Sequence, residues 1–206
     1  MSIVSYNNRS ISSITAIPGT AQSLTHIKTL TASSDSTLSF VNGSSDVVLD
    51  STYPIYIFKF INIHPGTDNT HITFNFSIDS GSNYNVTKTS TLFRSYHDEA
   101  DSATALEYRT DMDLAQSTGF QKLNSPLESD NDSSGSGYLY LFNPSSTTFV
   151  KHFISNCQSM SNLAYSIQDF VAGYGNTTSA VDAIQFKMSS GNVDAGTIKL
   201  YGIKDS

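Results

Sequence analysis

Apolar and polar residues alternate along much of this chain, and a period of two is typical of β-strands with one buried face. The pattern is most regular in residues 181–203, where Ile184, Phe186 and Met188 alternate with polar residues. Turn-forming residues at 190–192 separate this run from a second apolar run and predict a hairpin. Because two strands bury too little apolar surface to be stable alone, the hairpin must complete a sheet built by upstream strands.

Upstream segments predict further strands. Asn42–Gly43 lies between two short apolar runs and predicts a hairpin turn. Residues 53–63 are nearly continuous Ile, Tyr and Phe and predict a fully buried strand, whereas residues 72–78 alternate and predict a half-buried strand. About ten short strands at such spacings predict an all-β fold, a jelly-roll-like β-sandwich. The predicted strands are 37–41, 47–49, 53–63, 72–78, 84–94, 138–142, 148–154 and 163–171, followed by 184–188 and 197–203.

Three segments lack a clear strand pattern. Residues 1–30 carry sparse apolar residues interrupted by Pro18–Gly19, which predicts an extended N-terminal arm that packs on its own domain or on a neighbouring chain. Residues 97–119 are acidic and contain Ala, which predicts a surface excursion with at most a short helix. Residues 128–137 are too polar to bury and predict an exposed loop. The predicted organisation is an arm, residues 1–30, followed by one sandwich domain, residues 31–206.

Composition fits this architecture and argues against several function classes. The chain has 206 residues, enough for one sandwich domain, and its 12 Phe and 11 Tyr suit pleated, half-buried surfaces. The formal net charge of −7 argues against nucleic-acid binding, which needs clustered Lys and Arg, and against anionic membranes. Cys157 is the single cysteine, which excludes an intramolecular disulfide and predicts a small buried side chain. No signal peptide and no membrane-spanning apolar run are visible.

Reactive groups follow no catalytic signature in the sequence. The histidines lie outside the metalloprotease motif, and no Gly-x-Ser-x-Gly elbow, phosphate loop or dinucleotide fingerprint is present. We therefore predict no enzyme activity, no catalytic residue and no cofactor. His71 and His152 are predicted to lie in strands as polar-face or cross-strand partners. The five histidines are His26, His64, His71, His97 and His152.

Two acidic segments are candidates for metal or acid chemistry. Residues 130–135 imitate the start of a calcium-binding loop, but the twelfth position is Leu141 instead of a bidentate carboxylate. A looser calcium site at Glu128, Asp130 and Asp132 stays open beside a solvated loop, and we predict no bound metal. The second segment is a cluster of acids that we interpret as surface residues. The alternative, glycoside hydrolysis, needs two carboxyl groups held a fixed distance apart in a cleft. The acids of the second segment are Asp98, Glu99, Asp101, Glu107, Asp111 and Asp113.

Four strand-and-loop segments resemble structural proteins of marine tailed bacteriophages, chiefly of the cyanophage type. These segments are Val47–Asp50, Phe60–Pro65, Leu141–Ile154 and Gly196–Ile203, and the similarity extends to Asn7–Ser10 in the arm. The segments contain no reactive-group signature. The resemblance therefore implies a family of virion components with a jelly-roll-like sandwich, used in tail fibres, head fibres and capsid decoration, without implying any functional residue.

The resemblance and the architecture lead to a first expectation and two alternatives. The first is a non-enzymatic virion subunit that forms a homotrimer, contacts other virion proteins and is assembled in the host cytoplasm. The second is a carbohydrate-binding sandwich that attaches to a host-surface glycan through exposed aromatic residues such as Tyr84, Tyr96 or Tyr174. The third is a depolymerase, which would release sugars and lose activity when one acid is changed.

Overall fold

The computed structural model describes residues 24–161 and 164–204. Two antiparallel sheets pack face to face in this part of the chain, which contains no helix. The predicted all-β sandwich is therefore confirmed. Residues 1–23, which include most of the predicted arm, lie outside the described residues.

Twelve strands form the two sheets within the described residues. The larger sheet has eight strands in the order β1-β12-β3-β8-β9-β10-β5-β6, and the smaller has four in the order β2-β11-β4-β7. The larger sheet has twice as many strands as the smaller one, so part of its inner face lies beyond the smaller sheet. The strands are β1 Leu24–Thr31, β2 Leu38–Val41, β3 Ile55–Pro65, β4 Ile72–Ser77, β5 Lys88–Asp98, β6 Thr104–Tyr108, β7 Gln121–Lys122, β8 Gly135–Phe142, β9 Lys151–Met160, β10 Tyr165–Gly175, β11 Ala183–Met188 and β12 Val193–Ile203.

Aromatic rings from both sheets interlock at the centre of the sandwich. Phe186 of the smaller sheet lies against Phe58 and Phe60 of the larger sheet, with ring centroids 5.3 and 5.2 Å apart. Phe40 and Phe74, also from the smaller sheet, pack on Phe186 at 6.2 and 6.3 Å. All five side chains are buried. Offset and edge-on rings bury much apolar area per residue, so this cluster is a main source of stability.

The predicted hairpin of residues 181–203 is wrong as a pairing, although both of its strands form. β11 pairs with β2 and β4 in the smaller sheet, whereas β12 pairs with β1 and β3 in the larger sheet. The connection crosses between the sheets because its backbone bonds to other loops: Ser189 N donates to His71 O at 2.8 Å, and Val193 N donates to Asp35 O at 2.8 Å. The turn residues therefore make an arch between sheets.

Residues 47–49 are also not the second strand of a hairpin. Val47 and Leu49 insert into the core from a loop, and the Leu49 N–H donates to Asn42 Oδ1 at 2.9 Å. The Asn42 side chain thus holds the loop in place of a strand partner. The turn after Asn42 is present, with Gly43 at a φ of 76°.

Two further segments differ from their predicted exposure. β4 is buried on both faces instead of one, because Asn75 donates from Nδ2 to Tyr84 O and Thr118 O, both at 2.8 Å, and these loops cover its outer side. The acidic excursion of residues 97–119 contains no helix but an edge strand, β6. Its exposure alternates along Thr104–Tyr108, with Leu106 and Tyr108 exposed and Glu107 partly buried.

Residues 24–30 were assigned to the arm, and here they form most of β1. This strand lies at the edge of the chain's own larger sheet, paired with β12. Residues 128–137 are less exposed than predicted, because Glu128 and Ser133 are buried and β8 already begins at Gly135.

Two lysines are fully buried at one end of the inner face of the larger sheet. Lys88 and Lys151 pair with the same residue, Gly175, from opposite sides, so the three form one cross-strand row. Lys88 Nζ donates to Asn75 Oδ1 at 2.5 Å and to Val86 O at 2.9 Å. Lys151 Nζ donates to the carbonyl oxygens of residues 149 and 177 at 2.7 and 3.2 Å. Oxygen acceptors therefore replace water around each amine.

Candidate functional site

A cleft opens at the opposite end of the same inner face, beyond the edge of the smaller sheet. Strands β5 and β10 line it together with the loops at 68–69 and 126–128. The cleft encloses about 710 Å³, a volume typical of small-ligand sites. Its lining consists of Asp68, Asn69, Arg94, Tyr96, Arg109, Pro126, Glu128, Ser161, Tyr165 and Ile167.

The floor of the cleft follows from the register of β5 and β10. Every second residue of a strand faces the same side, and Arg94 lies opposite Asp169 while Tyr96 lies opposite Ile167. One step towards the core on this face is Leu92, which is fully buried. The inner face thus changes from apolar to charged and aromatic where the smaller sheet no longer covers it.

Arg94 is the central cation of the cleft. Its Nε donates to Glu107 Oε1 at 2.6 Å, its Nη1 donates to Ser125 Oγ at 3.1 Å, and its guanidinium lies 5.3 Å from the centre of the Tyr96 ring. The side chain is only 19% exposed. Three partners on three different segments therefore fix the orientation of this guanidinium before any ligand binds.

Asp169 lies behind Arg94 and is fully buried. It accepts hydrogen bonds from Ser125 N at 2.6 Å and Ser125 Oγ at 3.0 Å. Burial raises the pKa of Asp169 to about 6, although the bonds from Ser125 and the charge of Arg94 act in the opposite direction. Ser125 thereby links the buried carboxyl group to the guanidinium at the surface of the cleft.

Arg109 forms the second cation of the cleft and is held by carboxylates. Its Nε and Nη2 donate to the two carboxylate oxygens of Asp111 at 2.8 and 2.7 Å, and Nη1 lies 3.6 Å from Glu107 Oε1. The hydrogen bonds from Arg109 lower the pKa of Asp111 to about 2. Glu107 lies between Arg94 and Arg109, so each guanidinium in the cleft has an anionic partner.

Tyrosines and polar side chains complete the cleft. The rings of Tyr96 and Tyr165 meet edge to face with centroids 5.3 Å apart, and both side chains are half-buried. In the lining loops, Glu128 Oε2 accepts from Asn69 N at 3.2 Å, and Asp68 Oδ1 accepts from Ser129 N at 2.8 Å. The cleft thus combines aromatic rings with fixed donors and acceptors.

The outer face of the larger sheet is the second candidate surface, and we call it the aromatic face. Two cross-strand rows define it, and the residues of each row share one face because they are direct partners. Neither row contains Asp or Glu. From β6 towards β1, the first row is Tyr108, Phe93, Phe170, Asn156, Tyr138, Lys59, Lys199 and Thr29, and the second row, which begins on β5, is Thr91, Ala172, Ile154, Tyr140, Ile57, Tyr201 and His26.

Several large side chains of the aromatic face are exposed. Tyr108 is 51% exposed, Ile154 50% and Phe93 42%, and Phe93 stacks on Phe170 with centroids 4.9 Å apart. Monomeric proteins rarely expose wide apolar patches, and such patches commonly mark interaction surfaces. The aromatic face therefore has the character of an interface.

The acidic candidates do not converge on a metal site. Asp130 and Asp132 are exposed, whereas Glu128 is buried and turned to the cleft. The described ranges contain no group of three His, Cys, Asp or Glu side chains placed to hold a metal ion. The described residues therefore do not bring Glu128, Asp130 and Asp132 together as one set of metal ligands.

The second acidic segment is a set of local hydrogen bonds and not a carboxylate pair in one cleft. Asp98 accepts from Ala103 N at 2.8 Å, Asp111 pairs with Arg109, and Asp113 accepts from the Tyr108 hydroxyl at 2.6 Å. Of its acids, Glu107 approaches the cleft through its bond to Arg94.

The remaining predicted residues lie apart from one another. Tyr96 lines the cleft, but Tyr84 and Tyr174 do not. His71 precedes β4 and its Nδ1 lies 2.8 Å from Asn124 O, while His152 is exposed on β9. Cys157 is fully buried as predicted, and burial raises the pKa of its thiol to about 12.

Sequence reasoning missed most of the cleft. The sequence predicts a strand that ends at Arg94, whereas β5 continues to Asp98 and places Tyr96 on the same face as Arg94. Tyr165 and Asp169 come from a strand that follows about 70 residues later, and only the sheet register brings them to Arg94. The spacing Arg94-x-Tyr96 within a strand is the one local signal that pointed to this face.

No helix in the described ranges is long and apolar enough to cross a membrane. Comparisons with family models, curated proteins and solved structures find no match to this chain. The function therefore has to be argued from the cleft and the aromatic face themselves.

Proposed function

We propose that this chain is a non-enzymatic structural subunit of a bacteriophage particle and joins copies of itself through the aromatic face. The observation that carries the proposal is a wide sheet face with exposed Phe93, Tyr108 and Ile154 and no carboxylate in either row. Cores of protein interfaces are rich in aromatic residues and poor in charge. The resemblance to structural proteins of marine tailed phages supports the virion as the place of assembly.

Charge distribution supports a second copy as the occupant of this face. The chain carries a net charge of −7, yet the two rows of the aromatic face hold Lys59 and Lys199 without an acid. Copies that met through carboxylate-bearing surfaces would repel one another, whereas contact through this face keeps most of the negative charge apart. We expect a homotrimer in solution.

The test is the solution mass of the full chain by size exclusion with light scattering. Ile154→Lys places a charge at the centre of the aromatic face and is expected to convert the oligomer to monomer. The matched control is Ile78→Lys, because Ile78 is 43% exposed, close to the 50% of Ile154, and lies outside both rows. A wild-type monomer at high micromolar concentration, or equal behaviour of the two variants, would contradict assembly through this face.

The virion assignment needs its own measurement. Mass spectrometry of density-purified phage particles from a host culture that produces this chain is expected to find it at a stoichiometry that is a multiple of the oligomer. Its absence from particles would overturn the location without affecting the oligomer.

Saccharide binding in host attachment is the second candidate function, and the cleft is the observation that favours it. Tyr96 and Tyr165 offer aromatic surface beside the fixed polar groups of Arg94 and Glu128, a combination that suits ring-shaped, hydroxyl-rich ligands. A glycan array probed with the labelled chain is expected to show binding that is lost in Tyr96→Ala. An array without any signal would reject this candidate.

A further inference from the structure

The charge balance of the cleft restricts what it can bind. Its lining contributes two cations, Arg94 and Arg109, and two anions, Asp68 and Glu128. Each arginine is additionally paired with a carboxylate, Arg94 with Glu107 and Arg109 with Asp111. The positive charge is therefore neutralised inside the protein, and the cleft offers no net attraction to a carboxylate, sulfate or phosphate.

Hydrogen-bonding groups of the cleft are fixed in position by the protein. Glu128 is 7% exposed and held by Asn69 N, and Arg94 is held by Glu107 and Ser125. Within the described ranges, the hydroxyls of Tyr96 and Tyr165 take part in no hydrogen bond. A ligand that donates and accepts at many positions would find both kinds of partner without rearranging the site.

The aromatic rings add a surface for an apolar ligand face. A pyranose ring has one such face of C–H groups and a rim of hydroxyls, so it can pack against a tyrosine ring while its hydroxyls meet charged side chains. Tyr96 and Tyr165 lie on adjacent strands, β5 and β10, and the loop that carries Glu128 also lines the cleft. Aromatic rings and polar groups therefore border the same space, with Arg94 beside Tyr96 on β5 and Glu128 on a loop.

We infer that this cleft binds an uncharged oligosaccharide, with Tyr96 and Tyr165 against the sugar ring and Arg94 and Glu128 bonded to its hydroxyls. The inference rests on the second candidate function and names its ligand class. Acidic sugars are disfavoured because Glu128 and Asp68 would face them without a spare cation. Amino sugars would meet Glu128 and Asp68, so the amino-sugar arm of the experiment below distinguishes a cationic ligand from the neutral one that we infer.

The experiment is a glycan array with three arms, neutral oligosaccharides, uronic-acid oligosaccharides and amino-sugar oligosaccharides, followed by calorimetry of the best ligand at 0.05 and 0.5 M NaCl. We expect binding in the neutral arm and a dissociation constant that changes less than twofold with salt, because a neutral ligand is not screened. Binding confined to a charged arm, or a salt dependence above tenfold, would overturn the inference while leaving saccharide binding in place. No binding in any of the three arms would reject both the uncharged ligand and saccharide binding itself.

Variants connect the binding to the cleft. Tyr165→Phe removes only the hydroxyl and Glu128→Gln removes only the charge, so both are expected to fold, and each should weaken the neutral ligand about three- to tenfold. Tyr96→Ala should weaken it at least tenfold. The matched control is Tyr174→Ala, since Tyr174 is half-buried like Tyr96 but lies outside the cleft. Equal losses in Tyr96→Ala and Tyr174→Ala would show that the ligand binds elsewhere and would overturn the inference.

Discussion

Strands β5 and β10 carry ionisable groups at both ends of one face, and the surroundings of these groups differ between the two ends. At one end, Lys88 beside Gly175 is enclosed by oxygen acceptors without a counter-charge. At the other end, Arg94 beside Asp169 is surrounded by carboxylates and borders the cleft. About six residues of strand separate the two, so they share a scaffold but not an environment.

The lysine end shows what a closed interior does to a cation. Burial lowers the pKa of Lys88 to about 7 and also lowers the pKa of Lys151. Burial thus favours the neutral form of each amine, and the nearby oxygen acceptors take the place of water and of a counter-ion at this closed end. At the arginine end, the guanidinium cannot lose its proton, and it is retained with partners and partly exposed. The arginine end therefore differs from the lysine end in holding a permanently charged side chain that is partly exposed at the cleft.

Truncation of Lys88 should give the largest effect of this series. Lys88→Ala removes buried methylenes and leaves Asn75 Oδ1 and Val86 O without the amine, which is expected to cost about 2–4 kcal/mol of unfolding free energy. Urea denaturation with a constant m-value measures it. Lys88→Met keeps most of the volume and should lose less. A loss below about 1 kcal/mol for Lys88→Ala would show that the amine contributes little at this end.

The free energy of unfolding should increase with pH in the range where Lys88 titrates. The folded amine has a pKa of about 7 against 10.5 when unfolded, so the unfolded state binds more protons between these values and stability increases with pH. Between pH 7 and 9 we expect a gain of about 2 kcal/mol. The rise should be much smaller in Lys88→Met. Equal slopes in wild type and variant would mean that the amine keeps its proton inside the fold.

At the arginine end, the contribution of Asp169 to stability should change with pH in the opposite direction. Asp169 has a pKa of about 6 against 3.8, so the folded state binds more protons between these values and its contribution falls as pH rises through that window. Asp169→Asn keeps an acceptor for Ser125 and removes the titration. We expect the variant to gain about 1–2 kcal/mol relative to wild type when both are compared at pH 7 rather than pH 4. A difference that does not vary with pH would contradict the burial of the charge.

Ser125 should give the smallest effect, because it connects charges without carrying one. Ser125→Ala removes the hydroxyl that donates to Asp169 and accepts from Arg94, while the backbone N–H to Asp169 remains. The expected cost is about 1 kcal/mol, with a higher apparent pKa of Asp169 by NMR. An unchanged pKa would show that, of the two hydrogen bonds from Ser125, only the backbone bond affects the pKa of Asp169.

Local pattern predicted the strands but not their partners. The alternation of Ile184, Phe186 and Met188 and the turn at 190–192 are local and were interpreted correctly as strands and turn, yet a turn does not reveal whether its strands pair or cross to another sheet. The prediction that one face of β4 is exposed is wrong for a related reason, because the loops that cover this face are distant in the sequence. The cleft depends entirely on register between β5 and β10, which no local pattern encodes.

The position of β12 has a consequence for how the chain is made. β12 lies between β1 and β3, so neither of these strands has its full ladder until residue 203 has been synthesised. A chain in which β12 has not yet inserted therefore leaves β1 and β3 with open edges, and these edges favour aggregation or pairing with other chains. Long-range strand insertion of this kind also slows folding, because distant segments must meet before any contact compensates the lost entropy. We therefore expect a chain truncated before β12 to be less soluble than the full chain, because β1 loses its one strand partner among the described residues and β3 loses one of two.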